Sequence, residues 1–459
     1  MSLRSSLRRA PRGAAIPMTE GSLLKNIFLF SVPLMLSQLL QVLFNMADVA
    51  VVGKFSSSQA MGSVGSTSTL VTLFTGFLIG VGVGVNVRVA QHLGAGQQEK
   101  TQKAVHTALL MCAAMGLGLL ALCFFLARPM LELLNTKQDL LEGAVLYFRI
   151  YAFGMPALAI FNFGNAVLSA SGDTKRPLLY LMAAGILNVI LNLFFVIVMK
   201  MAADGVALAS ALSQYLSAIL VLWHMVRLKD ACRLQPRCIR AEPEELGRLL
   251  SLGIPAGVQN MIFAVANLFI QAGVNSFSSV MVQGNSAAAN ADAIVYNVMA
   301  AFYTACTSFM GQNWGAGKKD RMMKSFYICT AYSFLAGAVL GVLLLIFGEN
   351  FLYLFTNEAE VVAAGMQRMR IMCWSYAISA FMDCAIAACR GLGRSLAPTV
   401  IVIMGSCVFR VIWVYTVFAH FRTIPSLYLL YAFSWTLTAA AELIYFVRCY
   451  KSLHISASA

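Results

Sequence analysis

The chain has 459 residues, of which 59% are hydrophobic and only 11% charged, and its mean hydropathy is +0.76. A soluble domain carries about 25% charged residues. The composition therefore excludes an ordinary water-soluble fold and indicates that most of the apolar surface faces lipid. The formal net charge of +14 would suit a nucleic-acid partner only if the basic residues formed one continuous patch.

The chain begins with a basic segment. Residues 1–17 are rich in Arg, Ser and Pro and lack the apolar core of a signal peptide. Met18-Thr19-Glu20-Gly21 looks like a natural beginning, so the residues before it would be an upstream extension. We expect residues 1–26 to form a cytoplasmic tail that precedes the first apolar stretch.

Twelve apolar stretches follow, each long enough to cross a bilayer as a helix of roughly 20 residues. Spans 1–6 lie near 27–52, 61–86, 104–126, 145–168, 178–199 and 205–227. Spans 7–12 lie near 247–272, 284–310, 325–347, 361–388, 397–418 and 425–447. They predict an all-α integral membrane protein with an N-lobe at 27–227, a solvated linker at 228–246, a C-lobe at 247–450 and a tail at 451–459.

The second half of the chain repeats motifs of the first at a nearly constant offset. Three residues that follow span 2 reappear 221 positions later: Gln91, Gly94 and Gly96 become Gln312, Gly315 and Gly317. A fixed-offset repeat predicts two lobes of similar structure. Because each repeat has six spans, both copies should have the same orientation about a twofold axis along the membrane normal. Gln91 and Gln312 should then emerge at the same end of the molecule.

Lys and Arg residues predict the orientation, because cytoplasmic loops are enriched in both. They concentrate in the two tails, the linker and the even-numbered loops of each lobe, including Lys100, Lys175, Arg237, Lys318 and Arg448. The opposite loops hold few. The positive charge is therefore a topology signal that places both termini and the linker in the cytoplasm, and a nucleic-acid role is excluded.

Glycine and proline indicate where spans approach each other or bend. Gly76, Gly80 and Gly84 repeat every fourth residue in span 2, which makes a small-residue face suited to close helix contact. Pro156 interrupts span 4 and should bend it. Its repeat equivalent in span 10 is Ala377, so the two lobes need not bend alike.

The paired motifs resemble those of the multidrug and toxic compound extrusion (MATE) family over roughly residues 18–450. They comprise the two Gln-x-x-Gly-Ala-Gly loops, Gly172-Asp173-Thr174-x-x-Pro177, Arg390-Gly391-x-Gly393…Pro398, and Asp48 followed by Gly53. The resemblance implies an alternating-access transporter with six helices per lobe around a central cavity, which we expect to be lined by spans 1, 2, 7, 8 and 10.

Span 1 carries the most informative polar residues. Gln41, Asn45 and Asp48 lie at positions i, i+4 and i+7, on one helix face. A charge at bilayer depth costs about 2.5–3.5 kcal/mol on insertion scales, so Asp48 indicates a cation or proton site. The alternative is that Asp48 lies near the outer interface and is hydrated there.

The resemblance also supplies candidate partners for Asp48. Family members whose N-lobe cation site is described have a pattern similar to Asp, Asn, Asp and Thr, and the matching positions here are Asp48, Asn188, Asn192 and Ser210. Asn192 replaces the second carboxylate, so a divalent ion does not suit the site and the two-carboxylate mechanism does not transfer. We expect H+ or Na+ as the coupling ion, with no other metal and no cofactor.

The C-lobe has its own polar lining. Asn260, Asn267 and Gln271 form one stripe of span 7, and Asp292, Tyr296 and Asn297 lie in span 8, with Asp383 in span 10. Together with Gln41 and Asn45, these residues are the candidates for lining a substrate cavity. Asp292 and Asp383 either contact a cationic substrate or pair with an arginine of the spans such as Arg410 or Arg88. Some relatives have a Glu in span 7 and an Asp earlier in span 10, so their C-lobe site does not carry over.

Three functional classes compete. The first is an antiporter that exports organic, often cationic, compounds in exchange for protons or sodium. The second is a flippase for a lipid-linked precursor, which should have a strongly basic cavity. The third is a membrane-embedded enzyme, which would need a membrane-facing His-Asp or His-Glu constellation, and none of the five His sits beside an acid in a repeatable motif of the sequence. We expect the first: a monomeric, non-enzymatic, multi-pass transporter of the cell membrane whose partners are small-molecule substrates and lipids.

Overall fold

The computed structural model describes residues 15–453. The predicted N-terminal tail before residue 15 and the predicted C-terminal tail after residue 453 lie outside the described residues. Within residues 15–453 eleven helices are long and apolar enough to cross a membrane, and a twelfth span is a pair of helices bent by 45°. The twelve predicted spans are therefore confirmed, although the helices extend several residues beyond the apolar stretches.

The spans have the following bounds. In the first half they are Leu23–Phe55, Ser58–Gly94, Gln98–Leu133, the pair Gln138–Ala152 and Met155–Ala170, Lys175–Leu193 with a π-helical end at Phe194–Val198, and Ala203–Arg227. In the second half they are Pro243–Val274, Ser279–Gly315, Lys319–Leu352, Ala359–Gly391, Leu396–Phe421 and Ile424–Lys451. Span 11 contains two π-helical turns, Ile403–Val408 and Val414–Phe418.

The repeated motifs begin and end the same helices in both lobes. Ser57 caps span 2 by accepting the Ala60 N–H at 3.0 Å, and Ser278, 221 positions later, caps span 8. Both helices end where the last glycine of the repeated loop adopts a left-handed conformation, with φ of 67° at Gly96 and 69° at Gly317. Such a conformation favours glycine. The two loops are thus equivalent in structure as well as in sequence.

Span 4 bends where the sequence predicts. Its two helices, Gln138–Ala152 and Met155–Ala170, meet at 45°, and Pro156 lies in the first turn of the second. Span 10, with Ala377 at the equivalent position, is one continuous helix. The predicted difference between the lobes is confirmed, because only proline lacks the backbone N–H that a continuous helix needs.

The two lobes meet at one end of the molecule, which we call the closed end. Gln91 Nε2 donates to the Gly391 carbonyl at 3.0 Å, and Gln312 Nε2 donates to the Ala170 carbonyl at 2.6 Å. Donors and acceptors are both 221 positions apart, so each lobe makes the same bond to the other. Gln91 and Gln312 emerge at the same end, as a parallel repeat requires.

Small residues allow this close approach. A Cβ on Gly94 would lie 2.0 Å from the Gln312 carbonyl oxygen, and one on Gly80 would lie 2.5 Å from the Gly257 backbone. Gly84 likewise meets Gly253. The predicted small-residue face of span 2 is therefore the surface that contacts span 7.

The first span of each lobe crosses toward the other lobe at the closed end. Ile27 and Phe30 of span 1 pack in a cluster with Phe309 and other C-lobe side chains, and the Phe30 and Phe309 rings are 5.5 Å apart. Leu249 of span 7 packs with Val81 in an N-lobe cluster. The cores of the two lobes are thus interlocked at this end.

Most side chains of the linker at 228–246 are exposed or half-buried, and only Cys232, Leu234 and Glu245 are buried. Cys232 and Leu234 are buried against the N-lobe. Glu245, which belongs to the helix of span 7 beginning at Pro243, is buried, forms an ion pair with Arg88 at 2.7 Å and lies within hydrogen-bond distance of His92 Nε2 at 3.1 Å. These contacts could not be predicted from the sequence, because the partners of Glu245 lie more than 150 residues away.

Candidate functional site

The four residues proposed for ion coupling lie together between spans 1, 5 and 6. Asn192 Nδ2 donates to Asp48 Oδ1 at 2.5 Å, and the Ser210 hydroxyl donates to Asp48 Oδ2 at 3.1 Å. Asn188 donates to the Ser210 hydroxyl at 3.3 Å and accepts from Asn192 at 3.1 Å. We call these residues the Asp48 cluster.

The contacts bear on the alternative that Asp48 is simply hydrated near the interface. Asp48 is only partly exposed, and both carboxylate oxygens receive hydrogen bonds from side chains that are themselves buried. Asn192 donates to the carboxylate directly, and Asn188, one turn earlier on span 5, donates to the Ser210 hydroxyl that also bonds it. The carboxylate therefore points into the lobe.

The Asp48 cluster offers the oxygen ligands that a small monovalent cation prefers. Asp48 supplies a carboxylate, Asn188 and Asn192 supply amide oxygens, and Ser210 supplies a hydroxyl. Asn192 Oδ1 is buried with no hydrogen-bond partner among the described residues. An unpartnered acceptor in the same cluster as one carboxylate fits a proton or a sodium ion, whereas a second carboxylate for a divalent ion is absent from the cluster.

A polar cavity of about 140 Å3 lies between the lobes, on the closed-end side of the Asp48 cluster. It is lined by spans 1, 2, 7, 8 and 10, as the sequence predicted, and also by span 4. Of the candidate lining residues, the structure brings Asn260, Tyr296 and Asp383 to it. We call it the interlobe cavity.

Five other candidates do not line this cavity. Gln41, Asn45 and Asn267 are exposed on the halves of spans 1 and 7 remote from the closed end. Gln271 donates to Asn275 at 2.9 Å, and Asn297 donates to the carbonyl of Ala293 in its own helix. Of the predicted stripe of span 7, only Asn260 lines the interlobe cavity.

Asp292 is also absent from the cavity, and its partner is not one that the sequence suggested. Arg368 of span 10 donates to Asp292 and to Asn285, and the Tyr376 hydroxyl donates to Asp292. Arg88 pairs with Glu245 instead, and Arg410 lies among aromatic rings such as that of Tyr431. Asp292 is thus held inside the C-lobe by an arginine well inside span 10.

Sequence reasoning missed several residues of the cavity. Arg390 lines it beside Asp383, and Asn86, Asn162 and Asn165 come from spans 2 and 4. A signal for Arg390 was available, because it lies seven residues after Asp383 and therefore on nearly the same helix face. The asparagines were visible as polar residues in apolar helices, but nothing in their spacing marked them.

Two repeated six-span lobes that enclose a polar cavity define a polytopic membrane transporter. The MatE family model matches the chain twice, at residues 33–194 and 255–416, with the two matches 222 positions apart. The chain therefore belongs to the MatE family, the MATE transporters, whose members are transporters and not enzymes.

Curated relatives agree with this assignment. The chain is 30% identical to the probable multidrug resistance protein YpnP of Bacillus subtilis over 364 residues, which cover 79% of this chain and 81% of that protein. It is 22% identical to the probable multidrug resistance protein NorM of Thermotoga maritima, with 82% of each covered. An FAD transporter of Shewanella oneidensis is 23% identical over 70% of this chain and 71% of that protein.

Solved structures share the fold. A MOP superfamily transporter from Pyrococcus furiosus superposes with a TM-score of 0.89 at 19% identity, covering 95% of this chain and 98% of that one. A multidrug resistance MATE family transporter in the outward-facing conformation superposes with a TM-score of 0.88 at 19% identity and the same coverage. At this identity the likeness concerns the fold alone.

Proposed function

We propose that the protein is a secondary active antiporter that exports organic compounds, many of them cationic, in exchange for protons or sodium. It works by alternating access in the cell membrane as a monomer with both termini cytoplasmic. The observation that carries the proposal is the Asp48 cluster, in which one carboxylate faces three neutral polar side chains inside a lobe. One carboxylate is neutralised one for one by either monovalent ion.

The Asn192 amide could face Asp48 in two orientations, with either its N–H group or its oxygen toward the carboxylate. In the arrangement described, its N–H group donates to the carboxylate and compensates a negative charge. A half-turn of the amide would bring its unpartnered oxygen to the same place, where it suits a protonated carboxyl or a bound sodium ion. The charged and neutralised forms would then favour different packings of the N-lobe, which lets an ion gradient bias the conformational equilibrium.

The closed end supports alternating access. The lobes bond to each other through Gln91 and Gln312, whereas Gln41, Asn45 and Asn267 are exposed on the halves of spans 1 and 7 away from that end. With the basic linker cytoplasmic, the closed end faces the cytoplasm and the structure is outward-facing. The cavity lining contains one acid and one arginine, so the strongly basic cavity expected of a flippase is not what this lining offers.

The proposal is tested with purified protein in proteoliposomes. Sodium and pH gradients are imposed separately, and movement of a panel of cationic dyes against each gradient is measured. We expect one gradient, or both, to drive dye transport in the direction opposite to the ion. Equal dye movement with and without any gradient would contradict the antiport mechanism.

A further inference from the structure

The interlobe cavity contains two charges of opposite sign that do not pair with each other. Asp383 and Arg390 both line it from span 10. Asp383 makes no side-chain hydrogen bond to another described residue, and its Oδ2 is buried without a partner. Arg390 donates through Nη2 to Gln259 at 2.9 Å, while its Nε is buried and has no partner in residues 15–453.

Helix geometry explains why the two groups face the cavity together but stay apart. A separation of seven residues rotates one side chain from the other by only about 20° around an α-helix, and displaces it by about 10 Å along the axis. No ion pair joins Asp383 and Arg390 in the described structure. A molecule lying along span 10 could therefore contact both groups at once.

The remaining lining is neutral and suited to a polar, aromatic ligand. Asn165 makes no side-chain hydrogen bond to another described residue, and Asn260 uses only its N–H group, toward the Gly76 carbonyl. The Tyr296 and Tyr303 rings lie 6.3 Å apart on span 8. The lining carries one acid and one base. A purely cationic ligand would therefore leave the Arg390 guanidinium without a counter-charge, and a purely anionic ligand would leave the Asp383 carboxylate without one.

We propose that the interlobe cavity prefers zwitterionic aromatic compounds, with the ligand ammonium on Asp383 and the ligand carboxylate on Arg390. This rests on the proposed export function and narrows its substrate class. Arginine Nε and Nη form a fork that matches a carboxylate, and Nε has no described partner. The tyrosine rings pack against the ligand ring. The cavity of about 140 Å3 admits a single-ring compound, and larger substrates require the lobes to separate further.

The test uses three probes on one scaffold: 4-(aminomethyl)benzoic acid, its methyl ester and its N-acetyl derivative. The first is a zwitterion, the second a cation and the third an anion of similar shape. Binding to the purified full-length protein is measured by isothermal titration calorimetry at neutral pH. We expect the zwitterion to bind at least tenfold more tightly than either derivative. Equal or tighter binding of the ester would overturn the proposal without any mutation.

Two variants then assign the contacts. Arg390→Gln should remove the preference for the zwitterion over the ester, and Asp383→Asn should remove its preference over the N-acetyl compound. Arg394→Gln, which changes an arginine outside the cavity lining, should change neither ratio. Each ratio compares two ligands on the same protein, so a partial loss of folded material cancels. If both ratios persist in both variants, the assignment to Asp383 and Arg390 is wrong.

The result of the binding test can be distinguished from the result of the transport test. Zwitterion binding as expected, with no gradient-driven movement of any dye or probe in proteoliposomes, would contradict the antiporter and leave the binding preference standing. Gradient-driven export of cationic dyes with no zwitterion preference would contradict the present inference and leave the antiporter standing.

Discussion

Acidic residues inside the spans differ in what surrounds them, and the difference separates three roles. Asp292 is held by Arg368 and Tyr376 and is part of the C-lobe framework. Asp48 receives two hydrogen bonds from neutral side chains. Breaking or rearranging these hydrogen bonds costs less free energy than breaking a buried ion pair. Asp383 faces the interlobe cavity without a hydrogen bond to a described residue. Of the three, Asp48 and Asp383 are therefore the two that no ion pair holds in place.

The first prediction concerns Asp48. Asp48→Asn should abolish gradient-driven export, because an amide cannot exchange a proton or neutralise a cation, while substrate binding in the interlobe cavity should persist. Asn192→Asp should alter the ion dependence without abolishing transport. Export is measured in proteoliposomes under matched gradients, and binding is measured by calorimetry.

The matched control is Asp139→Asn, which removes an exposed carboxylate outside the Asp48 cluster and should leave export unchanged. If correctly folded Asp48→Asn exports at the wild-type rate, coupling does not depend on the Asp48 cluster. Asp383, the acid of the cavity, is then the next residue to test.

A second prediction concerns Glu442 of span 12. Its side chain is fully buried, and neither carboxylate oxygen has a hydrogen-bond partner among the described residues. An unsatisfied buried polar group costs about 1–3 kcal/mol.

Glu442→Leu should therefore raise the free energy of unfolding by a similar amount and raise the thermal midpoint of the purified protein. Glu349→Leu, at an exposed site, should not. A lower midpoint for Glu442→Leu would show that the carboxyl group is compensated in the folded protein.

At the scale of helices and loops, the repeated Gln-x-x-Gly-Ala-Gly motif acquires a structural reason. Its glutamine bonds to the end of a helix in the other lobe, and its first glycine allows the two loops to touch. Opening the closed end must break both glutamine bonds and separate both glycines. The motif is therefore part of the surface that must open for the cavity to become accessible from the closed end.

This gives a third prediction. Gln91→Ala and Gln312→Ala should each shift the equilibrium away from closure by similar amounts, about 0.5–1.5 kcal/mol, or roughly 2–12-fold in population. The similarity follows from the equivalence of the two bonds. The shift is measured by electron–electron distance spectroscopy between spin labels on the two lobes at the closed end. Gln102→Ala, on span 3, is the control. A large effect from one glutamine and none from the other would contradict the equivalence.

The elements could be predicted from sequence more completely than the site. Span number, the bend at Pro156 and the small-residue contact of Gly80 follow from local composition and from the repeat, and the structure has all three. The partners of Asp292 and Glu245 could not be predicted, because many polar residues are compatible with each carboxylate until the packing of distant helices is known. Arg390 was visible only as part of a loop motif, although its side chain belongs to the cavity.

Across the whole molecule, the two lobes share a helical arrangement but differ in the polar residues at equivalent positions. Offsets of 221 and 222 carry Asp48 of the Asp48 cluster onto Phe269 and Ile270, neither of them polar. The offset of 222 carries Asn188 onto Arg410, which is buried near the Tyr431 and Trp435 rings. The C-lobe thus has a fixed positive charge where the N-lobe has a polar ligand. We infer that ion exchange belongs to the N-lobe and that the C-lobe contributes mainly the charged wall of the cavity.

The last prediction fixes the orientation of the whole molecule, and one natural cysteine reports it. Cys238 of the linker is exposed, whereas the other ten cysteines are buried. Burial raises the pKa of the neighbouring Cys232 thiol, so Cys232 should stay unreactive. A membrane-impermeant maleimide should therefore label the wild-type protein in inside-out vesicles and not in intact cells, and Cys238→Ser should remove the labelling. The linker adjoins the closed end through Glu245 and Arg88, so this result would also place the closed end in the cytoplasm. Labelling in intact cells would reverse the topology and make the same structure inward-facing.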